Sequence, residues 1–436
     1  MRTFSTLAIL ALAGILGAQS ETSPADLFSS ARQRVLADVA RIPAYTCVQT
    51  TARSVYGPLV PKKEVRRCDQ IVHDRDARKG MPPRLSWERL RLEVAIANKR
   101  EVYSWVGAKR FEDGDLQRLI GYGQTVVGEF GPLLLSVLSL NESMRMTGET
   151  RDGNRRLIQY AYDTPLAWSM YKVKIGGAEM VTAYNGLVSL DPQTGDLAQL
   201  TARSAPLPED TGYCQVLDEV DYARVRIGSR DVLLPKGARS WAVASDGVEI
   251  VNEDSYSGCR EYVGESTIRF DDEGSGKPAF TSADTQPEAP RRETTRTIPA
   301  GLTFDARIVT PMDSRTSATG DPVEAVLRSA IVKDGQTLAP VGARIHGRLA
   351  RFVEHPGKKG RKYEYEVGVR FMSIETGGGT LPFAANLAET SGVTSVPIRL
   401  NVPESTRQAG FGLFYFYDAR VLLSRLDAKW VTAAPQ

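Results

Sequence analysis

The sequence predicts a mainly β protein with a few helices. It reads as an N-terminal curved antiparallel sheet with a leading helix and a helical insert, then a small C-terminal β-barrel or sandwich. Three observations predict this. Apolar and polar residues alternate with period two in segment after segment, as in strands that turn one face to a core. Two stretches, one after residue 22 and one around residue 133, break that rhythm with helical or all-round apolar character. Residues 271–297 are rich in Gly, Pro, Ser, Thr and charge with no apolar period, so they read as a flexible linker between two domains, 22–270 and 298–436.

Composition bounds what such a chain can do. The 436 residues are 42% hydrophobic and 25% charged, which argues against wholesale disorder and leaves room for two or three cores. Formal net charge is +3, too small for a global field toward nucleic acid or a membrane surface, so nucleic-acid binding is disfavoured. Residues 1–20 read as a signal peptide: Arg2, an apolar run from Leu7 to Leu16, and small residues Ala18 and Ser20 before Glu21. No later apolar run reaches transmembrane length, so a periplasmic or secreted mature chain without a transmembrane span is expected.

Cysteine usage fits that compartment. Cys47, Cys68, Cys214 and Cys259 form an even set with no CxxC pair, which suits disulfides better than zinc. Of the three pairings, Cys47–Cys68 and Cys214–Cys259 are favoured, because each would staple neighbouring strands of one region. Their separations of 21 and 45 residues would give roughly 3–4 kcal/mol each by loop closure.

The elements follow in order. Ser23-Pro24-Ala25-Asp26 carries a cap, a first-turn proline and an acid against the helix dipole. The stripe Leu27, Ala31, Val35 and Val39, with Phe28 and Leu36, then predicts a helix to about Ala40. Strands are expected at Tyr45–Tyr56, Val65–Val72, Leu90–Ile96 and Glu101–Trp105. DLQRLIGYGQ reads as a short helix, and Leu133, Leu134, Leu135, Val137 and Leu138 as a buried helix or the lining of an apolar-ligand site. Strand signals resume at Leu157–Tyr162, Trp168–Ile175, Met180–Leu190, Leu197–Ser204, Val216–Ile227, Asp231–Leu234 and Cys259–Phe270, with a turn over Asp191–Asp196.

In the second domain Leu302, Phe304, Ala306 and Ile308 alternate with Thr303, Asp305 and Arg307. Ala343 to Leu349 and Tyr363 to Phe371 alternate likewise and should pair as a hairpin. Its wet faces would set Arg344 and Arg348 against Glu364 and Glu366. Phe411–Tyr417 and Ala419–Leu426 are the last strands expected.

Two resemblances can be read from these features. The signal, leading helix, meander and internal apolar helices, with the series Val220-Asp221-Tyr222, Leu233-Leu234-Pro235, Cys259-Arg260-Glu261-Tyr262 and Ile268-Arg269-Phe270, resemble the periplasmic lipoprotein-carrier (LolA-like) architecture. That resemblance implies a sheet wrapping helices around a cavity for acyl chains. No residue role is carried over from it. Ile298-Pro299-Ala300-Gly301, Thr310-Pro311, Asp313-Ser314, Gly320-Asp321-Pro322-Val323 and Gly342 to Gly347 resemble the carboxy-terminal β-barrel of TrbI-like subunits of conjugation and type IV secretion complexes. This implies a barrel or sandwich. The family's apolar two-helix insert has no counterpart in residues 298–436.

Signals for chemistry are sparse. HExxH, GxSxG and Walker patterns are absent. His73 beside Asp74 and Asp76 reads as a solvated turn, Glu112-Asp113-Gly114-Asp115 as a cap and turn, and Asp313 and Asp321 as turn formers. No catalytic, metal or cofactor site is expected. Lys358, Lys359, Arg361 and Lys362 concentrate positive charge at a hairpin tip that could contact a polyanion. The expectation is an exported non-enzymatic envelope protein that binds a lipid, an acyl chain or a protein partner, with an assembly component of an envelope complex as the alternative.

Overall fold

A computed structural model of the chain describes residues 23–58, 66–97, 100–108, 111, 116–120, 130–141, 144–175, 178–261, 297–357, 363–390 and 411–434. The fold is mainly β with few helices. Helices are α1 (Pro24–Ala40), α2 (Cys68–Ala77), α3 (Leu116–Ile120) and α4 (Pro132–Leu140). The first half holds β1 (Tyr45–Tyr56), β2 (Arg84–Ala97), β3 (Arg100–Trp105), β4 (Arg145–Asp152), β5 (Arg155–Thr164) and the small hairpin of β6 (Lys172–Ile175) and β7 (Ala178–Val181). It continues with β8 (Tyr184–Leu190), β9 (Leu197–Ser204), β10 (Tyr213–Ile227), β11 (Arg230–Ala244) and β12 (Glu249–Glu261). These form one antiparallel sheet in the order β3-β2-β1-β12-β11-β10-β9-β8-β5-β4.

Local chemistry explains the helices on that sheet. Ser23 caps α1 by accepting the Asp26 N–H at 3.2 Å, and Pro24 occupies the first turn, where its missing N–H costs nothing. The stripe Leu27, Phe28, Ala31, Val35 and Val39 is buried. Each large side chain in it contributes roughly 1.5–3 kcal/mol. α1 packs with α4 through Leu133, Leu134, Val137 and Leu138, over Ile158, Tyr160, Val188, Leu200 and Val220 of the sheet. The Arg32 Nε donates to the Leu138 carbonyl at 2.6 Å, and the Tyr160 hydroxyl to that of Pro24 at 2.7 Å.

The second half comprises β13 (Thr303–Ile308), β14 (Met312–Asp313), β15 (Pro322–Leu327), β16 (Ile331–Lys333), β17 (Gln336–Ala339), β18 (Arg344–Pro356), β19 (Tyr363–Thr376) and β20 (Gly379–Pro382). β21 (Ala384–Thr390), β22 (Phe411–Asp418), β23 (Leu422–Leu423) and β24 (Leu426–Ala433) complete it. Its main order is β21-β24-β13-β15-β18-β19-β22. β20 extends β19, and β14–β23 and β16–β17 are short pairs. The ends β21 and β22 pack together: a Cβ on Gly412 would sit 3.2 Å from Leu387 and 2.4 Å from the Trp430 ring. Among the described residues no backbone pairing joins these two ends into a closed barrel. Trp430 is fully buried between Phe371 and Phe414.

The halves keep separate apolar cores yet share backbone hydrogen bonds. β3 covers the outer edge of β2 only from Leu92 to Ala97. The uncovered part is taken by the second half. Arg91 N–H donates to Thr319 O and Thr319 N–H to Arg89 O, both at 2.8 Å, while Glu88 and Trp87 pair with Val353 and Glu354 of β18. A bare strand edge is a hazard, and here one half covers it for the other. Ion pairs Arg91–Asp321 and Arg84–Glu354 flank the joint, and the Arg348 guanidinium lies over the Trp105 ring at 5.2 Å. Gly320 has φ +103°, and a Cβ there would meet Arg91 O at 2.3 Å, so close approach requires glycine.

Several local expectations are corrected. Residues 68–72, read as strand, begin helix α2, whose only buried side chain is Ile71. The Trp168–Ile175 signal begins as a 3-10 turn at Leu166–Trp168 and becomes strand only at Lys172. Met180–Leu190 is two strands, β7 and β8. Ala419–Leu426 holds only the short β23, and the long final strand is β24. The hairpin of β18 and β19 forms, but pairing runs back from its turn. Glu364 and Glu366 therefore oppose His355 and Val353, and Arg348 opposes Arg370.

The disulfide pairing is also corrected: the bridges are Cys47–Cys259 and Cys68–Cys214. β1 lies between β2 and β12, so Cys47 meets the end of β12. The Cys68 end of α2 packs on β10 beside Cys214, Ile71 and Val243. Pairing by proximity in sequence fails because the first strand of this sheet neighbours the last.

Candidate functional site

The candidate site is a pocket of about 260 Å³, lined mainly by apolar residues with backbone polar groups between them, where α1 ends and α4 begins. Pro43 follows the helix and the chain turns directly into β1, so Val39, Ala40, Ile42, Pro43 and Ala44 form one wall. Gly131 and Pro132 open α4 on the other side, and Phe130 and Ile96 contribute further apolar surface. Among the described residues, Glu101 of β3 is the one ionisable residue of the lining. Its Oε1 accepts the Phe130 N–H at 3.0 Å, and its Oε2 the Tyr103 hydroxyl at 2.8 Å. The Phe130 ring meets Tyr45 edge-on at 6.1 Å and Tyr256 at 4.7 Å.

Further along the same sheet runs a buried polar seam. Gln49 donates to the Asp254 Oδ1 at 3.1 Å, and the Thr51 hydroxyl bonds the same oxygen. Arg53 bridges Asn252 at 3.0 Å and Glu88 at 2.9 Å, and Asn252 donates to Ser240 at 3.2 Å. The Tyr171 hydroxyl bonds Asp218. Burial pushes the Asp218 carboxyl up to about 7, the Tyr171 hydrogen bond opposing and the nearby Asp254 charge adding to the shift. Burial also raises Asp254, against hydrogen bonds from Thr51 and Gln49 and the Arg53 charge. Asp218 Oδ1 and Gln49 Oε1 have no hydrogen-bond partner among the described residues. The seam can hold or release a proton, and in a chain rich in buried strands such a network also fixes register.

The residues singled out by sequence are placed as follows. Leu133, Leu134, Val137 and Leu138 are buried in the core against α1, and Leu135 is half-buried at its edge. The pocket is lined by residues just before them. Lys358, Lys359, Arg361 and Lys362 lie outside the described residues, as do residues 1–22, 112–115 and 262–296. His73 is exposed on α2 rather than in a turn, with Asp74 paired to Arg66 and Asp76 to Arg75 and Arg203. Asp313 is bonded by Arg420, which chiefly holds its carboxyl below the usual range, and Asp321 is bonded by Arg91. Among the described residues no group of three or more metal-ligating side chains converges, and no helix is long and apolar enough to cross a membrane.

Sequence reasoning missed Glu101 and the seam. Gln49, Thr51 and Arg53 do occur at alternate positions of β1, on the face that also bears Tyr45 and Cys47. That polar run on a buried face was the available signal. Strand β4 was missed too, because its side chains are almost all exposed. Only the Asp152-Gly153-Asn154 turn could have announced it.

The fold is thus mainly β, with a small pocket where the ends of α1 and α4 part over the sheet. Comparison adds little. No protein-family model and no curated protein matches the chain. One solved structure is similar, ComB10 of the Com type IV secretion system of Helicobacter pylori, at 14% identity, covering 32% of this chain and 88% of that chain with a TM-score of 0.18. A type IV secretion component is the class that residues 298–436 resemble in sequence. A superposition this loose carries no argument about fold or role, and no lipoprotein carrier accompanies it.

Proposed function

We propose that the protein is an exported, non-catalytic envelope protein that binds an apolar ligand, a lipid or acyl chain, in the pocket between α1, α4 and β3. The observation that carries the reading is the pocket itself, lined mainly by apolar residues and placed where two helix ends part over a sheet. Two disulfides support an oxidising compartment outside the cytoplasm.

The second reading is a docking component of an envelope assembly. Leu166, Trp168 and Met170, 58%, 67% and 60% exposed on one loop, favour it, since such clusters mark contact surfaces. One experiment separates the two. Native mass spectrometry of protein purified from its own envelope is expected to show bound lipid, lost in Ala44→Phe, which fills the pocket. A stoichiometric protein partner lost in Trp168→Ser, with no lipid, would replace the first reading by the second.

A further inference from the structure

We propose that the opposite face of the first-half sheet carries a second site, separate from the pocket at α1 and α4, which binds a sugar unit bearing one anionic group. A polar hollow of about 310 Å³ opens there, lined by residues of β4, β5, β9, β10 and β11. Strand alternation sets it apart from the core. Tyr160, Val188, Leu200 and Val220 turn inward under α1 and α4, while Gln159, Ser189, Gln199 and Asp221 follow one another in register on the other side.

Charge in the hollow favours an anion. Arg155 is paired to Asp152, so Arg151, Lys236 and Asp221 remain in the lining, two cations against one carboxylate. Neither Arg151 nor Lys236 has an ion-pair partner among the described residues. A β-bulge brings Lys236 to this position: Tyr222 pairs with Pro235 and Asp221 with Gly237, which leaves Lys236 as the extra residue.

Hydrogen bonding favours hydroxyls on the same ligand, because a bare anion only accepts and the hollow offers acceptors too. The Gln199 amide nitrogen donates to Asp221 at 2.9 Å and to Glu219 at 3.1 Å, which leaves its carbonyl oxygen to accept. The Gln159 side-chain amide and the Thr150 hydroxyl have no partner among the described residues. Between the two glutamines in the row stands Ser189, 1% exposed, whose hydroxyl has none either. Sugar hydroxyls donate and accept as these groups do, and a carboxylate on the same ring meets the cations. At about 30 Å³ per non-hydrogen atom, the share of a water in the liquid, the hollow holds roughly ten, close to one pyranose ring with its substituents.

The test titrates the full-length chain with D-glucuronate, D-glucose and acetate by calorimetry at low salt. Glucuronate is expected to bind roughly ten-fold more tightly than glucose, which lacks the charge, and than acetate, which lacks the ring hydroxyls. The double variant Arg151→Gln, Lys236→Gln should bring glucuronate down to the level of glucose. Gln159→Leu, which nearly keeps the volume, should weaken glucuronate at least five-fold and leave acetate unchanged. Ala44→Phe, which fills the other pocket, should change none of these, so the two sites are read independently. Acetate binding as tightly as glucuronate would reduce the hollow to a plain anion site and overturn the sugar assignment. Glucose binding as tightly would overturn the anionic group. No binding of any of the three, or glucuronate binding that survives the double variant, would overturn the site itself.

Discussion

The two halves of this chain solve the same problem with different materials. The first half spreads its apolar side chains over several clusters, lays helices α1 and α4 on one sheet, buries Gln49, Thr51, Arg53, Glu88, Asp218, Asn252 and Asp254, and carries both disulfides. The second half has one continuous core of Phe304, Phe371, Phe414, Phe416, Trp430 and aliphatic neighbours, with no described helix and no cysteine. Buried polar groups must each find partners, and they contribute little net stability when they do. A half that spends its interior on polar pairs and a pocket therefore has more use for covalent bridges than one packed with aromatics.

That contrast can be broken most forcefully by reduction. Cys47–Cys259 and Cys68–Cys214 close loops of 212 and 146 residues. By the chain-entropy account each contributes roughly 5 kcal/mol. Dithiothreitol should therefore lower the unfolding midpoint of the first half strongly. Hydrogen exchange of β19 and β24 in the second half should hardly change. Equal loss of protection in both halves would mean that the second core does not stand on its own.

A smaller effect sharpens the boundary between them. Gly320→Val places a side chain against Arg91 O and the Trp105 ring at a backbone conformation that valine resists. The combined strain and overpacking should cost about 2–6 kcal/mol. Because both clashing groups belong to the first half, the loss should appear as faster exchange at the Arg91 and Thr319 amides while each core remains folded. Unchanged exchange there would show that the shared edge of β2 does not hold the halves together.

The smallest expected effect is on pH dependence at the same joint. The His355 ring bonds Glu366 at 3.1 Å, beside the Arg84–Glu354 pair at the joint. Its pKa lies above the ordinary histidine value, chiefly through Glu366, with burial and Arg351 opposing. A raised histidine pKa stabilises when protonated, so the contribution is full below about pH 6.5 and fades as pH rises through the folded-state value. The residue is partly exposed, so the gain should stay under about 1 kcal/mol. Asp218 changes stability in the same direction over roughly pH 4 to 7, its ionised form being the destabilised one. The comparison must therefore be wild type against His355→Gln at each pH. The two should differ more at pH 6 than at pH 8, and a constant difference would dismiss the role.

Period-two patterning was enough to find most strands, because a strand with one wet face and one dry face writes its alternation directly into the chain: Phe304, Ala306 and Ile308 are buried as the pattern requires. Capping chemistry was equally local, and Ser23, Pro24 and the Leu27–Val39 stripe specified α1 without help from the rest of the fold. Everything that depended on which strands become neighbours was invisible. The disulfide partners, the opposition of Glu366 to Val353, the covering of β2 by Thr319 and β18, and the meeting of Glu101 with Phe130 join residues far apart in sequence or turned by a loop of unforeseen length. Side-chain period tells a residue which way to face, whereas only the packed sheet determines what it faces.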